Sequence, residues 1–128
     1  MLAIDTDARA LRELADEPRI TTAVGDFHRL DDVAALGGRM LDGILIANAL
    51  HFSSEPERVL ADASRRIRPG GTLIVVEYDG RPANPWVPYP VGRARLADFA
   101  ARLGLATPRP LGERPSNYGG VIYAAALD

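Results

Sequence analysis

Leu41–Glu77 reads LDGILIANALHFSSEPERVLADASRRIRPGGTLIVVE, and its three parts decide the fold. Residues 41–50 are nearly continuous apolar sequence, the pattern of a strand covered on both faces. Residues 54–71 put Val59, Leu60, Ala63 and Ile67 on the inner side of a helix, which Pro69 and Gly70 are expected to end. Residues 71–79 return to a β-branched run, a second buried strand. Two strands joined through a helix are expected to lie parallel, because a parallel pair needs a crossover of a dozen or more residues.

The same alternation continues on either side. Upstream, residues 1–5 read as a strand. Residues 7–16 bring Ala8, Leu11, Leu14 and Ala15 to one helix face, with Thr6 or Asp7 as the cap. RITTAVGD (19–26) is a second strand closed by a turn, and 30–38 predict one or two helical turns stopped by Gly37 and Gly38. Downstream, a Pro-rich loop (80–91) leads to a helix over 92–104. Segments around 107–114 and 118–127 then predict an antiparallel pair joined by RPSNYGG. The expected class is therefore α/β, a three-layer Rossmann-like arrangement. Its sheet is mostly parallel with helices on both faces, and it closes in a C-terminal antiparallel hairpin.

At 128 residues the chain is expected to be a single domain, able to bury roughly two-thirds of its unfolded surface. Apolar residues make up 47% and charged residues 25%, which is ordinary globular composition. The formal net charge of −2 offers no basic field for a nucleic-acid backbone or an anionic membrane. All 15 basic residues are Arg, to which no function is attached. The absence of Cys removes thiol chemistry, disulfides and Cys-ligated zinc. His28 and His51, 23 positions apart with no acidic pair at ligand spacing, give no metal site. No apolar run reaches the ~18 residues of a membrane span, so a soluble, cytoplasmic protein is expected.

Taken in order, LAIDTD (2–7), VGDF (24–27), LDGILIANALHF (41–52), VLADASRRIRPGGTLIVVE (59–77) and the closing hairpin resemble the class I S-adenosylmethionine-dependent methyltransferases over essentially the whole chain. The family's first strand, its Gly-rich turn and the helix behind it would precede Met1. The resemblance thus implies a domain truncated at its N-terminus, with a weakened hold on S-adenosylmethionine. In the family that first strand lies between those matching 1–5 and 41–50, so these two are expected to pair directly or to have the gap filled by a partner. Each buried polar group left without a partner costs ~1–3 kcal/mol, against a total stability of ~5–15 kcal/mol.

The resemblance also assigns residues. Asp5, with Thr6 beside it, falls where a carboxylate accepts from both ribose hydroxyls; a helix cap is the plainer reading. Asp26 matches the acceptor for the adenine amino group and Phe27 the amide that donates to the ring, against a simple turn aspartate and a core phenylalanine. Asn48 falls beside the sulfonium. His51 is the one proton acceptor expected near the methyl donor, and so the candidate general base; its plainer reading is a pocket wall, since direct displacement can proceed by positioning alone. Glu77, Trp86, Tyr89 and Tyr118 are candidate contacts to a small-molecule acceptor, weighed against a polar strand end, a hydrophobic plug and an ordinary turn. RPGG (68–71) is read as a structural turn.

Two functions of different class follow. One is methyl transfer from S-adenosylmethionine to a small molecule. The other is a non-catalytic interaction or regulatory domain, a homodimer through exposed strand edges. A nicotinamide-dependent Rossmann enzyme shares the acidic strand end but has no candidate hydride site.

Overall fold

The computed structural model describes residues 1–128, which divide into two compact units, Met1–Arg39 and Met40–Asp128. In the first, β1 (Leu2–Asp5) and β2 (Thr21–Val24) pair in parallel with Asp5 opposite Val24. Between them α1 (Ala8–Arg12) is capped by Asp7, whose carboxylate accepts from the Arg9 amide at 2.8 Å. That side chain satisfies one of the helix's free first-turn donors.

The helix expected over 7–16 stops early. From Glu13 onward the amides of Glu13, Leu14 and Ala15 bond three residues back, the tighter geometry that ends many helices. One turn of helix presents little surface, and of the expected inner face Leu11 alone is buried. Residues 30–38 likewise form 3-10 turns, Phe27–Asp32 and Ala34–Leu36, before Gly37 and Gly38 take φ of +56° and +69°.

The second unit holds a four-stranded sheet in the order β3-β4-β6-β5, built from β3 (Leu41–Ala47), β4 (Ile67–Asp79), β5 (Arg109–Pro115) and β6 (Val121–Leu127). β3 and β4 run parallel; β6 is antiparallel to both β4 and β5. The helices are α2 (Pro56–Ser64), which packs on β4, and α3 (Arg93–Arg102). On β4 the buried positions are Leu73, Val75 and Glu77, a period of two that marks one inward face. Their partners on β6 are Leu127, Ala125 and Tyr123, all buried. Leu60 and Leu96 are wholly buried in the same unit, each worth ~1.5–3 kcal/mol of apolar transfer.

Three expectations need correction. α2 ends at Ser64, whose hydroxyl donates back to Leu60 O at 2.7 Å, so Pro69 is not what stops it. Chain pairing begins immediately: the Leu41 amide donates to Arg66 O at 2.7 Å, and Ile67 is a strand residue opposite Leu41 rather than a helix-face residue. RPGG then forms a bulge, where the register jumps from Leu41↔Ile67 to Gly43↔Thr72. Gly70 supplies a φ of +81° there, and a Cβ on Gly71 would stand 2.6 Å from Asp42 O.

Secondly, β3 is not covered on both faces. It is an edge strand, and Leu45 is 58% exposed. Thirdly, β1 and β3 belong to different sheets, so of the two arrangements expected of them direct pairing is absent. β5, exposed at every position and carrying Pro110 and Pro115, closes the opposite edge with residues that resist further pairing.

Candidate functional site

In the unit Met1–Arg39, parallel pairing brings the ends of both strands to one rim. Asp5 is the last residue of β1, and the Gly25 amide just past β2 donates to Asp5 O at 3.0 Å. Asp5 is not the cap of α1, which is Asp7. Its Oδ1 accepts from the Asp7 amide at 2.8 Å, while Oδ2 has no partner. Thr6 is exposed between them.

Asp26, two residues past β2, starts the 3-10 turn: its Oδ1 accepts from the His28 amide and meets His28 Nδ1, each at 2.8 Å. Oδ2 remains unengaged, and Phe27, as the first residue of the turn, has an amide with no partner inside it. The Phe27 ring stacks on His28 with centroids 4.2 Å apart. Gly25 is held close, since a Cβ there would come 2.7 Å from Val33 Cγ2.

The hydrogen bond from the His28 amide is the chief influence holding the Asp26 carboxyl below its ordinary value; the His28 ring and Arg29 add to it and partial burial opposes it. A depressed carboxyl stabilises the fold above the unfolded-state pKa, and that contribution fades as pH falls through the folded-state value. Carbon-13 titration of the Asp26 carboxyl should therefore give a midpoint under that of an unperturbed aspartate. A midpoint at or above the ordinary value contradicts this geometry.

In the unit Met40–Asp128, the candidates gather at the carboxyl end of β3 and β4. Asn48 follows β3 with a φ of +50°, a left-handed conformation that asparagine tolerates better than most residues. It is exposed, and its amide donates to Val76 O at 2.8 Å.

His51 is buried, and its Nδ1 lies 2.7 Å from Glu77 Oε2 while its amide donates to Glu77 Oε1 at 3.2 Å. Glu77 is therefore misread as an acceptor contact. It is fully buried, with one oxygen on the His51 ring and the other on the His51 backbone. A carboxylate accepts, so Nδ1 carries the ring proton and a neutral His51 leaves Nε2 as the acceptor. No buried side-chain nitrogen or oxygen lacks a partner, so Nε2, which has none, reaches solvent.

The loop 80–91 is fixed by backbone. The Tyr89 amide donates to His51 O at 3.0 Å, and Asn84 Oδ1 accepts from the Trp86 and Val87 amides at 2.9 and 3.0 Å. Trp86 and Tyr118 remain about three-quarters exposed, and Tyr89 and Phe52 are also open, so Trp86 is not the plug its loop position allowed. Arg81, which sequence reasoning passed over, lies with Cζ 4.8 Å from the Tyr78 ring centroid and 5.5 Å from that of Tyr118. Nothing in the string DGRP announces this contact, because Tyr118 arrives from the far hairpin.

Below this edge, Tyr123 donates its hydroxyl to Val91 O at 2.7 Å and is covered by Arg93, which also pairs with Asp79 at 3.2 Å and with Glu113. Burial, then the carboxylates of Glu77 and Asp79, raise the Tyr123 phenol above its usual value. Tyr123→Phe should cost ~1–3 kcal/mol, because Val91 O is left without its donor. A urea midpoint unchanged from wild type would show that water replaces the bond.

A hollow of about 470 Å³ opens elsewhere, between α2 and α3, lined in part by Ser54, Glu57, Arg58, Arg95 and Phe99. None of the candidate residues lines it. No cluster of three or more His, Asp or Glu stands ready for a metal, and no helix is long and apolar enough to cross a membrane.

The profile of the methyltransferase domain family matches residues 1–75, and the chain belongs to that family. Among solved structures, an arsenic(III) S-adenosylmethionine methyltransferase from Chlamydomonas reinhardtii superposes with a TM-score of 0.72 at 16% identity, over 98% of this chain and 53% of its own. An O-methyltransferase family protein from Burkholderia thailandensis gives 0.69 at 16%, over 99% and 42%. An O-methyltransferase of neocarzinostatin biosynthesis, crystallised with S-adenosylhomocysteine and 1,4-dihydroxy-2-naphthoic acid, gives 0.63 at 19%, over 98% and 40%. These likenesses show a Rossmann-like methyltransferase fold, and the chain spans about half or less of the length of each protein. No curated protein matches the chain.

Proposed function

We propose that the chain carries out methyl transfer from S-adenosylmethionine to a small-molecule acceptor, as one methyltransferase-like domain. The observation that carries this reading is the rim of the first unit, where Asp5 and Asp26 each keep one carboxylate oxygen unengaged beside the free Phe27 amide. That donor set suits an adenosine: Asp5 Oδ2 accepts from ribose hydroxyls, Asp26 Oδ2 from an exocyclic amine, and the Phe27 amide donates to a ring nitrogen. Thr6 adds an exposed hydroxyl to the same rim. When bound, that group supplies a methyl on a positively charged sulfur.

On the second unit, Glu77 orients His51 so that Nε2 takes the proton of an attacking oxygen or nitrogen. Trp86, Tyr89 and Tyr118 offer flat walls to the acceptor. The neocarzinostatin O-methyltransferase, in complex with 1,4-dihydroxy-2-naphthoic acid, is an example of a flat small molecule bound on this fold. The net charge of −2 supports neither nucleic acid nor an anionic membrane as partner.

Ligand binding raises the unfolding temperature in proportion to ln(1 + [L]/Kd). Millimolar S-adenosylhomocysteine should therefore stabilise the wild-type chain, and Asp5→Ala should lose most of that gain. No stabilisation of the wild type, or an equal gain in both proteins, contradicts the assignment. A second reading, a non-catalytic homodimer, is favoured by the open edge of β3 with Leu45 exposed. Sedimentation equilibrium tests it: a monomer up to high micromolar concentration removes it.

A further inference from the structure

We propose that Arg81 binds a planar oxyanion, an aromatic carboxylate, as part of the acceptor. This rests on the reading that the carboxyl end of β4 faces the acceptor. Arg81 is half-buried and its guanidinium lies against the rings of Tyr78 and Tyr118. Ring faces attract the positive charge but accept little from the N–H donors. No carboxylate stands within ion-pair distance of Arg81, whereas Arg93, the half-buried arginine of α3, is held by Asp79 and Glu113.

The acids closest in sequence are engaged elsewhere. Glu77 is buried on His51, and Asp79 accepts from the Arg93 amide and Nε, both at 3.2 Å. Arg81 is thus a fixed cation with its donors unspent. A guanidinium presents those donors in a planar fork that matches a carboxylate with two parallel bonds, and stacking on tyrosine leaves that fork in place.

The surroundings specify the rest of the ligand. The aromatic faces beside the guanidinium are Tyr78, 4.8 Å from Arg81 Cζ, and Tyr118, 5.5 Å away and about three-quarters exposed. Rigid aromatic surface favours a flat ring as the body to which the carboxylate is attached.

The probe is salicylate, with salicylamide as its uncharged counterpart, titrated into the full chain while the Nε–H resonance of Arg81 is followed by nitrogen-15 NMR. Salicylate should move that resonance and salicylamide should not. Arg81→Lys, which keeps the charge and loses the fork, should weaken salicylate binding tenfold or more with the urea midpoint unchanged. Equal binding of the two probes, unaltered affinity in Arg81→Lys, or an Arg81 resonance that stays fixed at tens of millimolar salicylate overturns the proposal. No stabilisation of the wild type by S-adenosylhomocysteine, or an equal gain in Asp5→Ala, with salicylate still seen at Arg81, sinks the methyl-transfer reading instead.

Discussion

Glu77→Ala should lower stability by ~3–5 kcal/mol, the cost of leaving one member of a buried polar pair without the other. Glu77 is wholly buried, and its two oxygens take the His51 ring at 2.7 Å and the His51 amide at 3.2 Å. Truncation strands both donors where little water can reach them. Glu77→Gln keeps one acceptor oxygen and should lose about half as much. In the double variant His51→Leu with Glu77→Leu, apolar contact replaces the pair, so its loss should fall below the sum of the single losses by ~1.5 kcal/mol or more. Urea unfolding followed by circular dichroism reads all of these. A loss under ~1 kcal/mol for Glu77→Ala would mean that the pair is hydrated and that Glu77 does not fix the ring.

Gly120→Ala carries the second large effect, ~2–5 kcal/mol. Gly120 has a φ of +66°, and a Cβ built on it would stand 2.2 Å from Asp79 O. The left-handed conformation alone costs an L-residue ~1–2 kcal/mol, and displacing backbone adds ~1–3 kcal/mol. The neighbouring Gly119 provides the control: φ is +95° there, but no atom lies within 4 Å, so Gly119→Ala should cost only the conformational part, ~1–2 kcal/mol. Because Gly120 O also accepts from the Ser116 amide at 3.1 Å, moving it shifts the turn that carries Tyr118. The Arg81 Nε–H resonance should change in Gly120→Ala along with the midpoint. Equal losses for the two glycine variants would contradict the close approach at Asp79.

Local chemistry made part of this readable. Asp7 ahead of an apolar helix face, paired glycines at 37 and 38, and the RPSNYGG turn each act over a few residues: Asp7 caps a helix shorter than expected, the glycines follow 3-10 turns, and the closing strands pair antiparallel. The errors lie where distant pairing overrides local preference. The helix over 54–71 loses its last turns because Arg66 and Ile67 are taken up by Leu41, and RPGG then serves a strand bulge. An apolar run at 41–50 looks the same in sequence whether one side of the strand has a neighbour or both do.

The candidate site divides in the same way. Local sequence marks the positions of Asp5 and Asp26, a strand end and a turn, whereas a binding role for either comes from the family resemblance. Glu77 meeting His51 across 26 positions of chain, and Arg81 meeting Tyr118, depend on the register of β4 with β3 and β6. No local signal encodes that register.

The most direct test of the central claim, that the rim holding Asp5 and Asp26 receives an adenosine, is a nitrogen-15 NMR titration of the chain with S-adenosylhomocysteine. The amides of Asp5, Thr6, Asp26 and Phe27 should move together along one saturation curve. Amides that stay still there at millimolar ligand would contradict it, as would shifts confined to Met40–Asp128.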